Sequence, residues 1–295
     1  MSPKCNFKIS AHFLHPPVSS LAAFIAIARI IVLAMKSGLG SISGSRTFVG
    51  LVAMLFLAAC SLVRGETVRP PYYELRIYTV TSNKLDAVLE RFRETVEPVR
   101  RRHGIKTVGY WTVATTNGDK FIYLLTAPSV EELRRQESEF GADPDFQRGY
   151  GASNAKHGKT VDRISTIPLQ VDPTAKFNFA PSNPARAFNL RIYSVLPGKL
   201  DAFRNRWRDF AVPIYGHHGL RSVGWWIADQ KDAEGNDQFV CLLAGESVSA
   251  IQKSIDEFHK DAEWIRVEKE TEATGKLRSG VTAYKLAPTG FSDLK

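Results

Sequence analysis

Arginine and tyrosine stand two residues apart at two places in the chain, as Arg76 with Tyr78 and as Arg191 with Tyr193. Side chains two apart on a β-strand lie on the same face, so each pair can present a guanidinium and a phenol to one ligand. A guanidinium binds anionic groups through charge-assisted hydrogen bonds. The alternative is an internal ion pair with Glu74 and a tyrosine bonded to the backbone, since buried polar groups are normally satisfied within the protein.

Two histidines, His103 and His218, each stand directly before a glycine. Histidine can act as a general base or as a metal or haem ligand. The alternative is a cation at the C-terminus of a helix, where the helix dipole favours positive charge. No second His, Cys or carboxylate lies at ligand spacing from either histidine, so the sequence predicts no zinc site. There is also no glycine-rich phosphate loop or nucleophile elbow, and we expect no cofactor.

Trp111 and Trp226 each follow another aromatic residue, Tyr110 and Trp225. Neighbours on a strand point to opposite faces, so one aromatic of each pair should enter one core and its neighbour the other. Packing is the ordinary role of such side chains, although an aromatic-lined cavity with Arg and Tyr in its wall would suit a small molecule. The candidate ligand-binding or catalytic residues are therefore Arg76, Tyr78, His103, Trp111, Arg191, Tyr193, His218 and Trp226.

These candidates come in pairs because the chain contains an internal repeat. The segment Glu74–Trp111 matches Asn189–Trp226 without a gap, and 17 of 38 positions are identical. Such self-similarity indicates that one structural unit was duplicated. The run Arg100–Arg102 is not repeated, because Tyr215-Gly-His217 stands at the matching positions. We therefore interpret the arginine run as a solvated helix face and not as part of a shared site.

Each repeat shows the order of elements βαββαβ. Alternation from Tyr72 to Val80 predicts a first strand, and apolar residues at helical spacing from Leu85 to Val99 predict a helix that Pro98 should kink. Two further strands, a second helix, a short helical stretch opening at Asp143 as N-cap and a last strand follow. The second repeat follows the same order, with Asp261 in the place of Asp143. This is the ferredoxin-like split βαβ pattern.

Four motifs in this order resemble the NIPSNAP domain family. They are Tyr-x-Leu-Arg-x-Tyr, a Pro-containing helix ending in His-Gly, Val-Gly-x-Trp and Asp-x-x-Trp, and the first repeat departs only in having Phe146 where the second has Trp264. The resemblance implies a dimeric α+β barrel. The predicted fold class is α+β: two tandem ferredoxin-like units packed sheet to sheet as an intramolecular pseudo-dimeric barrel. The predicted domains are residues 72–170 and 187–287, with a linker at 171–186 and a tail at 288–295.

In such a barrel we expect both faces of the first strand to be covered. Leu75 and Ile77 should face the helices, and Arg76 and Tyr78 should face the barrel interior. If the protein is an enzyme, Arg76, Tyr78, His103 and their copies in the second repeat would form the working set there.

The region before the repeats has the features of a targeting segment. Arg46 precedes an apolar run that ends in Leu57-Ala-Ala-Cys60, a sequence similar to a bacterial lipobox, in which the cysteine is lipidated. The alternative is ordinary signal cleavage nearby, for instance after Gly65. Because Met35 would begin a conventional signal, we interpret residues 35–65 as the signal peptide and 1–34 as an over-extended N-terminus. These features predict an exported protein of the periplasm or cell envelope.

Charge and cysteine content exclude several classes of protein. The net charge is +9, but residues 1–60 hold five Lys or Arg and no Asp or Glu, which leaves 34 basic against 30 acidic residues in the remainder. A body of net charge +4 is not a nucleic-acid footprint. Cys241 is the one cysteine in the repeats, so no disulfide can form within them.

We expect the protein to bind a small apolar or anionic molecule, or a protein partner, in the cell envelope. Two alternatives remain open from the sequence. The first, by resemblance to the wider superfamily, is an enzyme such as a cofactor-light monooxygenase or isomerase that works inside the barrel. The second is a structural assembly module, which would form homo-oligomers. A barrel filled by Trp and Leu side chains would contradict the first alternative.

Overall fold

The computed structural model describes residues 71–113 and 119–295. The signal peptide, Cys60 and the over-extended N-terminus predicted above lie outside the described residues. Within the described ranges, no helix is both long and apolar enough to cross a membrane.

Both repeats contain the elements that the sequence predicts, in the same order. The first consists of β1 (Tyr72–Val80), α1 (Leu85–Arg91), a π-helical turn (Phe92–Val96), α2 (Glu97–Arg102), β2 (Lys106–Val113), β3 (Lys120–Ala127), α3 (Val130–Ala142), α4 (Pro144–His157) and β4 (Val161–Val171). The second consists of β5 (Ala187–Val195), α5 (Leu200–Arg206), a π-helical turn (Trp207–Ala211), α6 (Val212–His217), β6 (Arg221–Ala228), β7 (Asp237–Gly245), α7 (Val248–Phe258), α8 (Ala262–Thr271) and β8 (Arg278–Pro288).

The eight strands close into one barrel in the order β1-β3-β2-β8-β5-β7-β6-β4. Every pairing is antiparallel, and each repeat supplies one four-stranded sheet. The sheets join through short ladders, Trp111 and Thr112 of β2 against β8, and Leu169 to Val171 of β4 against β6. The predicted pseudo-dimeric α+β barrel from a single chain is therefore confirmed.

The barrel interior is an apolar core to which both repeats contribute. Leu75 and Ile77 of β1 lie in it, together with Trp111 of β2 and Trp226 of β6. The expected orientation of β1 was therefore wrong, since Leu75 and Ile77 face the barrel and Arg76 and Tyr78 face the helices. A guanidinium is more easily accommodated in the helix layer, where carboxylates and water can reach it, than in a dry interior.

Glycine makes room for the tryptophan in each Val-Gly-x-Trp motif. Gly109 lies on the same face of β2 as Trp111, and a Cβ there would overlap the indole ring. A Cβ on Gly224 would likewise overlap Phe177 and approach Trp226. Both glycines stand at irregularities in the pairing with the neighbouring strand. The indoles can therefore lie across the sheet and fill the barrel.

A π-helical turn precedes the proline in the first helix of each repeat. The amide of Glu97 donates to the carbonyl of Phe92, five residues earlier, and Pro98 follows as the second residue of α2. Proline has no amide hydrogen and its ring crowds the preceding turn, which explains the break in α-helical bonding there. Phe92 and Val96, which belong to this turn, line the cavity described below.

Candidate functional site

A cavity of about 530 Å³ lies in the first repeat, between the outer face of the sheet and the helices. β1 contributes Arg76 and Tyr78 to its wall, and the first helix contributes four further side chains that are central to the site, Arg91, Phe92, Val96 and Arg100. Helix α4 and β4 close the remaining sides, with Phe146, Tyr150, Asn154 and Ile164. The volume is within the range of ordinary small-molecule sites.

Arg76 is held by carboxylates beside the cavity. Its Nε donates a 2.6 Å hydrogen bond to Glu74, and its Nη2 contacts Glu137 of α3. Glu74 is fully buried and also accepts a 2.5 Å hydrogen bond from Arg134. The internal Arg–Glu pair predicted as the alternative is therefore present. Arg76 lines the cavity, but its charge is already compensated.

Arg100 is the side chain on which the site depends. It is 4% exposed, and no carboxylate in the described part of the chain lies within ion-pair distance of it. Its Nη2 donates a 3.0 Å hydrogen bond to the Tyr123 hydroxyl, and its guanidinium lies 4.7 Å from the centre of that ring. The interpretation of Arg100 as solvated was wrong. Its spacing of four residues from Val96 and eight from Phe92 places it on the buried helix face, and that signal was available in the sequence.

Two phenols stand next to Arg100 with opposite pKa shifts. The hydroxyl of Tyr78, in the cavity wall, lies 3.0 Å from that of Tyr123. Burial raises the pKa of Tyr78 well above its usual value. Burial acts in the same direction on Tyr123, but the guanidinium groups of Arg100 and Arg76 outweigh it, so the pKa of Tyr123 is lowered. The hydroxyl of Tyr78, in the cavity wall, therefore holds its proton more tightly than the hydroxyl of Tyr123, which lies behind it.

Arg91 adds a second buried guanidinium with neutral partners. It donates hydrogen bonds of 2.9 Å to Ser153 and 2.8 Å to Asn154, and it lies 4.6 Å from the centre of the Tyr150 ring. Four basic residues line the cavity: Arg76, Arg91, Arg100 and Lys159. No Asp or Glu is among the lining residues. The cavity therefore has a positive electrostatic potential and several donors that an anionic group can use.

The corresponding space in the second repeat is nearly filled. It measures about 20 Å³ and is lined by Arg191 and Tyr193 together with larger side chains from the helices. Trp207 stands where the first repeat has Phe92, and Trp264 where it has Phe146. Tyr215 replaces Arg100. The duplicated scaffold is therefore asymmetric: at these matching positions between sheet and helices, the first repeat has an open cavity and the second is nearly filled.

Neither His103 nor His218 lines the first-repeat cavity, the small space at the matching position in the second repeat, or the barrel interior. His103 is the C-cap of α2, and its Nε2 lies 2.8 Å from Asp143, the N-cap of α4. His218 is the C-cap of α6, and its Nε2 lies 2.9 Å from Asp261, the N-cap of α8. The predicted N-cap roles of both aspartates are confirmed, because each carboxylate accepts backbone hydrogen bonds from the first turn. Each histidine thus joins the end of one helix to the start of another.

Trp111 and Trp226 lie inside the barrel, and their neighbours Tyr110 and Trp225 lie in the helix layers, as the alternation predicts. The space left between the interior side chains is only about 10 Å³. That is too small for any substrate. A reaction chamber inside the barrel, as proposed from the sequence for an enzyme, is therefore contradicted. Within the described ranges, no group of three or more His, Cys, Asp or Glu could hold a metal ion.

Two four-stranded sheets from one chain, closed into a barrel and covered by helices, define an α+β barrel protein built from fused halves. The chain belongs to the NIPSNAP family, whose model matches residues 73–171 and 188–293, one match for each repeat. The two tandem copies inferred from the sequence are confirmed.

Several solved structures are similar to this chain at low sequence identity. A proposed monooxygenase from Fusobacterium nucleatum is 10% identical, covers 76% of this chain and 93% of its own, and has a TM-score of 0.50. An uncharacterised NIPSNAP-like domain protein from Burkholderia xenovorans is 17% identical over 38% of this chain and 90% of its own, with a TM-score of 0.31. A NIPSNAP family protein from Agrobacterium tumefaciens is 14% identical, covers 35% of this chain and 95% of its own, and has a TM-score of 0.32. No curated protein matches the sequence. At 10% identity, the likeness to the Fusobacterium nucleatum structure concerns the fold alone.

Proposed function

We propose that the first-repeat cavity binds a small organic anion with a flat apolar body, of the aromatic carboxylate class. The observation that carries the proposal is Arg100, a buried guanidinium without a carboxylate partner in the described part of the chain. A buried charge is costly unless it is paired, and an anionic ligand would pair it. The cavity of about 530 Å³ beside it has room for such a ligand.

The apolar wall supports a flat ligand body. Phe92, Phe140, Phe146 and Tyr150 line the cavity, and aromatic rings pack favourably against one another in stacked or edge-to-face arrangements. The carboxylate would then lie towards Arg100 and Arg91, and the ring of the ligand among the phenylalanines.

Binding of 2-naphthoate tests the proposal, with the neutral 2-naphthamide as the ligand control. Arg100→Met should weaken naphthoate binding by about 30-fold, because loss of a buried charged contact costs about 2 kcal/mol or more. Arg148→Met, at an exposed position on α4, is the matched control and should leave affinity unchanged. Titration calorimetry that shows equal affinity for acid and amide would contradict the proposal.

A variant that fills the cavity tests its location. The double variant Val88→Phe and Phe92→Trp introduces the residues that the second repeat has at these positions, Phe203 and Trp207. Since the second repeat packs those residues, the variant should fold and should lose naphthoate binding. A folded variant that still binds with the original affinity would place the site elsewhere.

The phenol pair favours a second candidate function, proton transfer on a bound carbonyl acid. In this step ionised Tyr123 is the base: Tyr78 receives the proton from the carbon beside the carbonyl group while it passes its own hydroxyl proton to Tyr123, and the reverse transfer returns a proton to the carbon. The two hydroxyls lie 3.0 Å apart, and the pKa of Tyr123 is lowered. Exchange of the α-hydrogens of phenylpyruvate in D2O, followed by NMR, tests this. Tyr78→Phe should abolish exchange and retain binding. An exchange rate equal to that of buffer with the unmodified protein would reject the second candidate.

We also propose that the chain is exported to the cell envelope and attached to a membrane through lipidated Cys60. The apolar run after Arg46 and the sequence Leu57-Ala-Ala-Cys60 support this. Cell fractionation in a bacterial host should find the protein with membranes and the Cys60→Ala variant in the soluble exported fraction. If both forms fractionate identically, lipidation at Cys60 is excluded.

A further inference from the structure

The second repeat retains a buried arginine but lacks the carboxylates that compensate it in the first. Arg191, which matches Arg76, is 6% exposed. Glu74 and Glu137, the two partners of Arg76, are replaced at the matching positions by Asn189 and Ile255. No carboxylate of the described residues lies within ion-pair distance of Arg191. The buried arginine is therefore compensated by carboxylates of the protein in the first repeat and not in the second.

The groups that contact Arg191 are neutral. Its Nε donates a 2.6 Å hydrogen bond to the Tyr193 hydroxyl, and its Nη1 donates a 3.3 Å hydrogen bond to Asn189. Burial raises the pKa of Tyr193, and it raises the pKa of Cys241, so both groups remain protonated at neutral pH. None of them balances the positive charge.

The other charges around this site do not compensate Arg191 either. Arg206 forms its own 2.9 Å ion pair with Glu272, and Arg278 lies 3.9 Å from Glu268. Each of these carboxylates is matched to another arginine, so the cluster retains one uncompensated positive charge. An unpaired charge in a low-dielectric environment is strongly unfavourable.

A small space adjoins Arg191 on the side of the helices. Its volume is about 20 Å³, and Tyr193, Arg206 and Tyr215 lie in its wall with Arg191. This admits one water-sized sphere and no organic molecule. The bulky Trp207 and Trp264, which also line it, set that limit.

We propose that the second repeat binds a single small monovalent anion of chloride size beside Arg191. The anion supplies inside the second repeat the negative charge that Glu74 and Glu137 supply inside the first. The site is separate from the first-repeat cavity, and the inference does not rest on the function proposed for that cavity.

Thermal unfolding at constant ionic strength tests the inference, with chloride replaced by the bulky anion gluconate. The Arg100→Met background is used to reduce chloride binding in the first-repeat cavity, and the Asn189 variants below assign the remaining dependence to the second repeat. Each tenfold increase in chloride above its dissociation constant should raise Tm by about 3–5 °C, the shift that follows from mass action for a unit of this size.

Substitution of Asn189 gives a matched pair of variants. Asn189→Glu provides an internal carboxylate, as Glu74 does in the first repeat, and should abolish the chloride dependence. Asn189→Gln has the same shape without the charge and should retain the dependence. If Tm is independent of chloride in the Arg100→Met protein, or if Asn189→Glu and Asn189→Gln respond to chloride equally, the inference is wrong.

A crystal soaked in bromide provides a second readout. An anomalous peak within contact distance of the Arg191 guanidinium is expected, and it should be absent from the Asn189→Glu variant. A data set that shows bromide at other sites and none beside Arg191 would also overturn the inference.

Discussion

The Nη2 of Arg100 donates a 3.0 Å hydrogen bond to the hydroxyl oxygen of Tyr123, and both side chains are buried. The arginine sits at the end of a helix whose second half starts with a π-helical turn and Pro98. The tyrosine sits on β3, the strand that pairs with β1. The contact therefore fixes the first helix against the sheet and places a guanidinium and two phenols at the cavity wall.

Tyr123 should ionise below the ordinary tyrosine value of 10.0, because Arg100 and Arg76 outweigh the effect of burial on its pKa. A pKa lowered by folding adds stability that is fully present above the unfolded value, near 10, and is lost as the pH falls through the folded pKa. Stability of the unmodified protein should therefore rise relative to that of Tyr123→Phe as the pH approaches 10. Tyrosinate absorbance should show an early titration step that Tyr123→Phe removes.

Tyr72→Phe is the control for this titration. Burial and the neighbouring Glu74 raise the pKa of Tyr72 to about 12, so its removal should leave the early step unchanged. Loss of the early step in Tyr72→Phe, or its persistence in Tyr123→Phe, would assign the low pKa to another phenol.

The repeat, the order of elements and the barrel could be predicted from the sequence, because duplicated motifs and hydrophobic periodicity carry that information. The orientation of β1, that is, which of its faces points into the barrel, could not be predicted. Both of its faces are covered, so alternation shows that two faces exist and does not show which one faces the barrel. Arg134 and Glu137, three residues apart on one helix face, were the available signal, because they meet Glu74 and Arg76 in the helix layer.

The position of the cavity could not be predicted from the repeat, since it arises where the two copies differ. Phe92 against Trp207 and Phe146 against Trp264 are conservative changes in type, yet they separate a cavity of about 530 Å³ from one of about 20 Å³. The repeat gives no indication of Arg100, because Tyr215 stands at its place in the second copy. In a duplicated protein, such a difference on the buried helix face indicates divergence of the two sites.

Gly109→Ala should destabilise the protein by about 1–3 kcal/mol, the usual cost of adding volume to a packed core. The new Cβ would overlap the Trp111 indole inside the barrel. Gly151→Ala is the matched control, because no atom lies within 4 Å of its added Cβ. Since Gly151 lies inside α4, this control should stabilise by about 0.5–1 kcal/mol. Urea unfolding measures both, and a neutral Gly109→Ala would contradict the close approach of Trp111.

Asp143 should make stability depend on pH in the acid range. The guanidinium of Arg102 and then His103 hold the pKa of Asp143 well below its ordinary value of 3.8. The stability that follows is present above about pH 4 and is lost as the pH falls further. Asp143→Asn keeps an N-cap side chain and removes the charge, so its Tm should change less than that of the unmodified protein between about pH 5 and pH 3.

Asp261→Asn is the internal comparison for Asp143→Asn. Its carboxylate contacts His218 at 2.9 Å, but the residue matching Arg102 is His217. The loss of acid sensitivity should therefore be smaller in Asp261→Asn. Equal effects of the two substitutions would show that Arg102 contributes nothing to the pKa of Asp143.

The C-terminal residues should be necessary for the stability of the barrel. Leu294 is 1% exposed and belongs to the interior core, and Ser292 accepts a 2.9 Å hydrogen bond from the backbone amide of Tyr110. Leu294→Ala should cost about 2–5 kcal/mol, because truncation of a buried side chain leaves a cavity in the interior core. Val248→Ala, at an exposed position on α7, is the control and should change stability by less than about 0.5 kcal/mol. Urea unfolding measures the stability of both variants. If Leu294→Ala is as stable as Val248→Ala, the C-terminal residues do not stabilise the barrel.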